Sequence, residues 1–180
     1  RPALSKAEAF VHEIQYTGKT GQEKIEEVKK EMKKKNASCF ILGSLDDIAW
    51  MYNIRGRDVS SNPVVISYAL IFMDKAYLFV DKDKINSQVE SFLKDNGIEI
   101  VAYDEVDNYV ANIEKTAKVY LDKDRINRWL YKAIPTECKI IDGMNITTKL
   151  KGCKNAVEIK NQRNAYIKDG VALVKFFHWL

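Results

Sequence analysis

An internal repeat constrains this chain more than any other feature. Phe79-Val80-Asp81-Lys82-Asp83-Lys84-Ile85-Asn86 is echoed by Tyr120-Leu121-Asp122-Lys123-Asp124-Arg125-Ile126-Asn127. Both copies lead into a helical pattern, Val89 with Phe92-Leu93 after the first and Trp129-Leu130 with Ala133 after the second. Each pattern then gives way to a short β-rich run, Ile98 to Ala102 or Cys138 to Ile141. The repeated unit is therefore strand, polar turn, helix, strand. Asp and Asn leave the strand and cap the helix, and the helix covers the sheet. At helical spacing Trp129 reads as a core anchor. Two copies are too few for a solenoid, so the pattern predicts an α/β fold, one mixed β-sheet with helices on both faces. Asp81 and Asp83 start like a calcium loop, but Ile85, Asn86 and Phe92 fall where ligand, glycine and closing glutamate are needed, so the turns are structural.

The segments before the repeat extend the same architecture. Glu23 to Lys35 places Ile25, Val28 and Met32 at helical spacing with Glu-to-Lys pairs outside, and its Lys33-Lys34-Lys35 end suits the negative helix C-terminus. Ser38 to Leu42 reads as a buried strand ending at Gly43. Ser44 is expected to cap the next helix, with Asp47 acting in a short-armed capping box and the helix dipole accounting for Asp46-Asp47. Val64 to Phe72 and Ala76 to Val80 flank Met73-Asp74-Lys75, the spacing of an antiparallel hairpin.

Composition bounds the function classes. With 180 residues, 46% apolar, 30% charged and a net charge of +4, the chain suits a globular domain with one core and no need of disulfides or a structural metal. No run reaches the ~20 apolar residues of a membrane helix, and Arg1-Pro2-Ala3-Leu4-Ser5 lacks the apolar stretch of a signal peptide. Cys39, Cys138 and Cys153 are odd in number and without metal-ligand spacing, so they read as reduced thiols and the expected compartment is the cytoplasm. From Lys154 onward Val157, Ala165, Ile167, Val171, Leu173, Val174, Phe176 and Phe177 keep a helical pattern, interrupted only by Gly170, that ends on its most hydrophobic turn. A patch of that kind belongs against another surface, and the chain is expected to be a fragment of a larger protein.

The usual catalytic constellations are missing from the sequence. His12 and His178 sit at opposite ends, no Cys-x-x-Cys or His-Glu-x-x-His occurs, and neither phosphate-binding glycine loop nor Gly-x-Ser-x-Gly is present. Lys29-Lys30, Arg55-x-Arg57 and Lys149-x-Lys151-x-x-Lys154 are interleaved with acidic residues, which reads as a solvated surface rather than a nucleic-acid interface.

One segment resists these bland readings. Leu45-Asp46-Asp47-Ile48-Ala49-Trp50-Met51-Tyr52-Asn53-Ile54-Arg55-Gly56-Arg57-Asp58-Val59 runs from a helix into an irregular loop, and Asn62-Pro63-Val64 leads on into a strand. By physics alone it is either a ligand-facing loop or a buried ion-pair loop that holds the domain together. The stretch resembles the second domain of the three-domain Xaa-Pro aminopeptidases (aminopeptidase P), in which Leu-Asp-Asp-Ile-Ala-Trp leads to Asn-(Leu/Ile)-Arg-Gly-x-Asp-(Ile/Val) and Asn-Pro-Val. Arg1-Pro2-x-Leu4-Ser5, Tyr16-Thr17-Gly18 and Ser67-Tyr68 are similar to the family as well. Lys151, Lys154-Asn155 and Glu158 resemble its Lys-x-x-Lys-Asn-x-x-Glu passage into the catalytic domain, and Asp169 to Leu173 with Trp179-Leu180 resemble that domain's first helix. Arg57, Ser60-Ser61 and Val65 depart from the family's Ser, Pro-Tyr and Phe.

The resemblance implies a creatinase-type N-terminal α/β fold in three parts: an inter-domain lead-in over 1–20, a noncatalytic α/β domain over 21–150, and a linker with the first catalytic-domain helix over 151–180. It implies a parent metallopeptidase that releases an N-terminal residue preceding proline, with two divalent ions, commonly manganese, in a pita-bread domain outside this chain. No catalytic or metal residue is assigned here. Arg55, Trp50, Asp58 and Arg57 are the candidates for a substrate cleft or domain interface. Arg55 is the sharpest, since a guanidinium holds a carboxylate bidentately and survives burial when paired, with Asp58 a candidate internal partner. Trp50 also fits core packing. The implied partners are the parent's own catalytic domain, Xaa-Pro peptides and a second copy in a homodimer, with neither nucleic acid nor membrane. The alternative is a free-standing peptide or protein-binding module of the same fold.

Overall fold

The computed structural model describes residues 5–180, so the Arg1 to Leu4 part of the expected lead-in motif lies outside the described residues. In chain order the elements are β1 (Phe10–Val11), α1 (Ile14–Thr17), α2 (Gly21–Lys34), β2 (Cys39–Leu42), α3 (Leu45–Tyr52), β3 (Ile54–Arg55), β4 (Ser67–Phe72) and β5 (Ala76–Val80). There follow α4 (Ser87–Asp95), β6 (Ile98–Ala102), α5 (Val106–Ala111), β7 (Lys118–Leu121), α6 (Arg128–Ala133), β8 (Lys139–Asp142), α7 (Ile146–Gly152) and α8 (Ala156–Trp179).

Six strands form one mixed sheet in the order β6-β5-β4-β2-β7-β8. Only β4 runs against its neighbours, so β6, β5, β2, β7 and β8 all point the same way. The two repeat copies build the two flanks, β5-α4-β6 on one side and β7-α6-β8 on the other. Their turns agree in detail. Asp81 Oδ1 accepts from the Asp83 amide and Asp122 Oδ1 from the Asp124 amide, both at 3.1 Å. Asn86 caps α4 through the Val89 amide at 3.0 Å, and Asn127 caps α6 through the Leu130 amide at 2.8 Å.

The repeat also dictates which face each helix covers. Both crossovers leave strands of the same direction but travel to opposite edges, so crossovers of one hand leave their helices on opposite faces. Val89 and Leu93 of α4 accordingly join α2 and α3 in one core cluster, and Leu130 of α6 joins Val106 and Val110 of α5 in the other. Alternation along the strands feeds both clusters. Ala69 and Ile71 of β4, Phe40 and Leu42 of β2, and Leu78 and Val80 of β5 face the first, while Leu70, Ile41 and Phe79 face the second.

Four details differ from the sequence reading. Trp129 is 51% exposed and is no core anchor; aligned on the capping asparagines it matches Gln88, and Leu130 matches Val89. The first turn of α2 starts at Gly21 under a Thr20/Glu23 capping box rather than at Glu23. Ser44 makes no side-chain cap on α3, because its hydroxyl accepts from Asn145 Nδ2 at 2.9 Å and the Asp47 carboxylate is turned to Thr148 and Lys151. The β4 strand begins at Ser67, because the backbone at 63–66 serves the preceding loop: Pro63 and Val64 carbonyls accept from Gly56 and Asp58 amides, and the Ile66 amide donates to Asp58 Oδ2.

Candidate functional site

Beside the main sheet, β1 pairs with β3 in a small antiparallel ribbon that places Phe10 opposite Arg55 and Val11 opposite Ile54. This ribbon, the C-terminal half of α3 and the first turns of α8 enclose a cleft of about 620 Å³ lined by His12, Lys24, Trp50, Arg55, Lys154 and Glu158 among others.

The back of the cleft is built by α2 and α3. Lys24, Val28 and Met32 share the buried stripe of α2, which carries the Lys24 ammonium inside. Its Nζ donates to Trp50 O at 2.9 Å and Asn53 Oδ1 at 2.7 Å and lies 4.5 Å from the centroid of the Trp50 ring. Burial pushes the Lys24 pKa down to about 8, against the pull of Glu158. Asn53 ends α3 in the left-handed region at φ 53, a conformation asparagine tolerates, and its backbone carbonyl accepts from the His12 amide at 2.8 Å.

The front is Arg55, His12 and Glu158. Arg55 Nη1 donates to Ala49 O at 2.6 Å, a carbonyl of the last turn of α3, and to Ile54 O at 2.9 Å. Burial lowers the Arg55 pKa while Glu158 opposes it. His12 is pushed down to about 4, first by burial and then by Arg55 and Lys24, so its imidazole is neutral at neutral pH. Glu158 is committed on both oxygens: Oε1 accepts from Trp50 Nε1 at 3.0 Å and Oε2 from the Asn155 amide at 2.9 Å.

The sequence-predicted residues separate here. Arg55 and Trp50 meet in the cleft, and Trp50, 8% exposed, is both core and cleft wall. Asp58 does not pair with Arg55: its Oδ2 accepts from Lys84 Nζ and from the Ile66 amide, each at 2.7 Å, and the Lys84 and Asp58 side chains are only 2% and 1% exposed. The buried ion-pair reading of the loop therefore holds for Asp58, with a partner from the first repeat turn. Arg57 is exposed and lies outside the cleft.

The Lys-x-x-Lys-Asn-x-x-Glu passage proves to be a joint. Lys151 contacts Asp46 and reaches Asp47 Oδ1 at 2.7 Å, Asn155 caps α8 and donates to Thr17 O at 2.8 Å, and Glu158 ties α8 to Trp50. Asp46 and Asp47 thus hold a specific cation, beyond the helix dipole. The sequence reading missed His12 and Lys24 as site residues; the signal for Lys24 was a lysine in register with Val28 and Met32.

Chemically the cleft offers fixed positive charge, an indole face and a neutral imidazole, a set that can bind and orient a ligand. Among the described residues no three His, Cys, Asp or Glu side chains converge in a way that could hold a metal ion, so they do not fit a metal centre. Beyond the cleft, α8 exposes Tyr166, Ile167, Val171, Leu173, Val174, Phe176, Phe177 and Trp179.

A family model described as the Creatinase/Prolidase N-terminal domain matches residues 1–158. Xaa-Pro aminopeptidase 1 of Dictyostelium discoideum is 37% identical over 179 residues, 99% of this chain and 28% of that protein. A probable Xaa-Pro aminopeptidase P of Sordaria macrospora is 34% identical over 189 residues, 100% of this chain and 31% of that protein. The crystal structure of an X-prolyl aminopeptidase from Caenorhabditis elegans, described as a cytosolic enzyme with a di-nuclear active site, matches with a TM-score of 0.94 at 29% identity over 100% of this chain and 30% of that one. The chain therefore spans about 30% of the length of these relatives.

Proposed function

The chain belongs to the creatinase/prolidase N-terminal domain family, and we propose that it is a noncatalytic domain of an Xaa-Pro aminopeptidase, the second of three, that supplies a wall of the substrate cleft and a packing surface for the catalytic domain. The observation that carries this reading is full coverage of this chain against about 30% of its Xaa-Pro aminopeptidase relatives. The exposed apolar length of α8 supports it, since a helix bare of cover over its last turns suits burial against a following domain.

In this reading residues 1–20 lead in, 21–150 form the α/β body and 151–180 pass into the catalytic domain. The substrates are peptides with proline second. The two divalent ions, manganese in the family's common case, would be held by polypeptide outside these 180 residues and would supply the lowered pKa of a bound water there. The compartment is the cytoplasm, and a homodimer is the assembly.

Variants in the longer gene product test the cleft assignment. Arg55→Ala is expected to lower kcat/KM for an Xaa-Pro peptide by about tenfold or more, the worth of one charged contact, and the exposed Arg57→Ala to leave it nearly unchanged. Equal losses would remove Arg55 from the cleft wall. A reading frame that closes soon after the Leu180 codon would instead favour the free-standing module.

A further inference from the structure

We infer that the cleft between β3 and α8 is a carboxylate-binding site, with the Arg55 guanidinium as receptor and the Trp50 side as its apolar flank. The inference deepens the reading above and rests on it only for which carboxylates reach the cleft; the geometry is the chain's own.

Arg55 uses Nη1 for two backbone carbonyls, Ala49 at 2.6 Å and Ile54 at 2.9 Å, and its guanidinium forms no other hydrogen bond among the described residues. The anchored nitrogen fixes the plane of the group and leaves its other edge for a planar two-oxygen ligand. No acidic side chain among the described residues pairs with it directly, and Glu158, whose charge acts on it from a distance, is hydrogen-bonded to neutral donors elsewhere. Asp58, three residues on, is taken by Lys84 at 2.7 Å and the Ile66 amide. Glu158 is bound on one oxygen by Trp50 Nε1 and on the other by the Asn155 amide. Asp46 and Asp47 are held by Lys151.

The second cation, Lys24, lies behind Trp50 with only neutral acceptors, Trp50 O and Asn53 Oδ1, so the cleft keeps surplus positive charge at a partly buried position. Glu158 is one carboxylate against the two cations Arg55 and Lys24, so the partly buried guanidinium lacks a full counter-charge, and a ligand anion relieves that cost. Ala49, Trp50, Pro63 and Val64 line the same cleft, so the fitting ligand is a carboxylate on a small apolar group. Two sources share this chemistry, the free carboxylate of a peptide and an Asp or Glu side chain of polypeptide that follows α8. Lys84 then acts as a positioning residue. Its side chain holds Asp58 away from Arg55, and its carbonyl accepts from the Ala9 amide at 2.8 Å, just before the β1 strand that pairs with Arg55.

The test is a titration of the ¹⁵N-labelled 180-residue chain with N-acetylproline, N-acetylprolinamide and inorganic phosphate, read at the Arg55 Nε–H and Trp50 indole N–H signals. The site predicts a saturating shift of both signals with N-acetylproline, at most a small linear drift with the neutral amide, and weaker binding of phosphate. In Arg55→Gln the indole shift requires at least about tenfold more N-acetylproline, and Arg55→Lys falls between, since it keeps the charge without the fork. No saturation by N-acetylproline, equal response to the amide, or tighter binding of phosphate would each overturn the assignment, and the wild-type comparisons decide this whether or not a variant folds. Repeating the titration on the longer gene product separates the sources. Arg55 signals already shifted and unresponsive identify an internal carboxylate, and a preserved response identifies a peptide carboxylate. Because no step uses hydrolysis, failure here leaves the peptidase reading standing, and failure of the peptidase assay leaves this site standing.

Discussion

Breaking the Lys84–Asp58 pair from one side should cost the fold far more than removing it from both. The two charges are 2.7 Å apart with side chains 2% and 1% exposed. At an effective dielectric of about 20 that separation gives roughly 6 kcal/mol of attraction, which offsets a desolvation penalty of several kcal/mol per ion. The pair as a whole is therefore near break-even, whereas either charge alone keeps its penalty without its partner. Lys84→Met and Asp58→Asn should each lower unfolding free energy by about 3–5 kcal/mol. The double variant should lose far less than either single one, because no unpaired charge stays buried and the side-chain carbonyl that Asp58→Asn leaves in place still accepts from the Ile66 amide, which Asp58 Oδ2 bonds at 2.7 Å. Urea unfolding followed by far-UV circular dichroism, with unchanged slopes, measures all four corners of the cycle. Additive single losses, or single losses below about 1 kcal/mol as for exposed pairs, would refute the claim that this pair locks the loop that follows Arg55.

Four further outcomes follow from the same structure. Lys24, held near pH 8 against about 10.4 in an unfolded chain, takes up fewer protons folded than unfolded between those values. Stability should therefore rise by about 3 kcal/mol from pH 8 to 10.4, and Lys24→Met should lack that part of the rise in pH-dependent urea melts. His12, pushed from 6.5 down to about 4, has the same sign, so stability falls as pH drops from 6.5 toward 4 and His12→Gln should flatten that limb. A methyl at Gly56 would meet Val65 Cγ2 at 2.5 Å and Val64 O at 3.0 Å, so Gly56→Ala should cost about 1–3 kcal/mol; thermal melts indistinguishable from the parent chain would show that the loop yields. Val174→Glu with Phe177→Lys, at positions 69% and 63% exposed, should reduce self-association in sedimentation velocity and change stability by no more than about 0.5 kcal/mol.

The sheet was legible because its information is local. Each repeat copy carries its own strand, Asx turn, asparagine cap and helix, and two copies running to opposite edges place helices on both faces. The phase of the second helix was misread at Trp129 because an aromatic residue outweighed the capping register, which aligns it with the polar Gln88. In the cleft, Arg55 and Trp50 stood out through the segment that runs from the α3 helix toward the irregular loop after Arg55. Asp58 was misassigned because the nearest cation in sequence is Arg55, whereas the fold delivers Lys84 from 26 residues away. Asp47 was likewise read through its helix position, while its partners Thr148 and Lys151 arrive from about 100 residues on. Local patterns state what an element is; which charge meets which is decided by packing between elements.

The most direct test of the central account is Xaa-Pro peptide cleavage measured for the 180-residue chain and for the full gene product side by side, both with added manganese. The account predicts release of the first residue by the longer product and none by the chain alone. Cleavage by the chain itself, or a longer product inactive on every proline-second peptide, would contradict it.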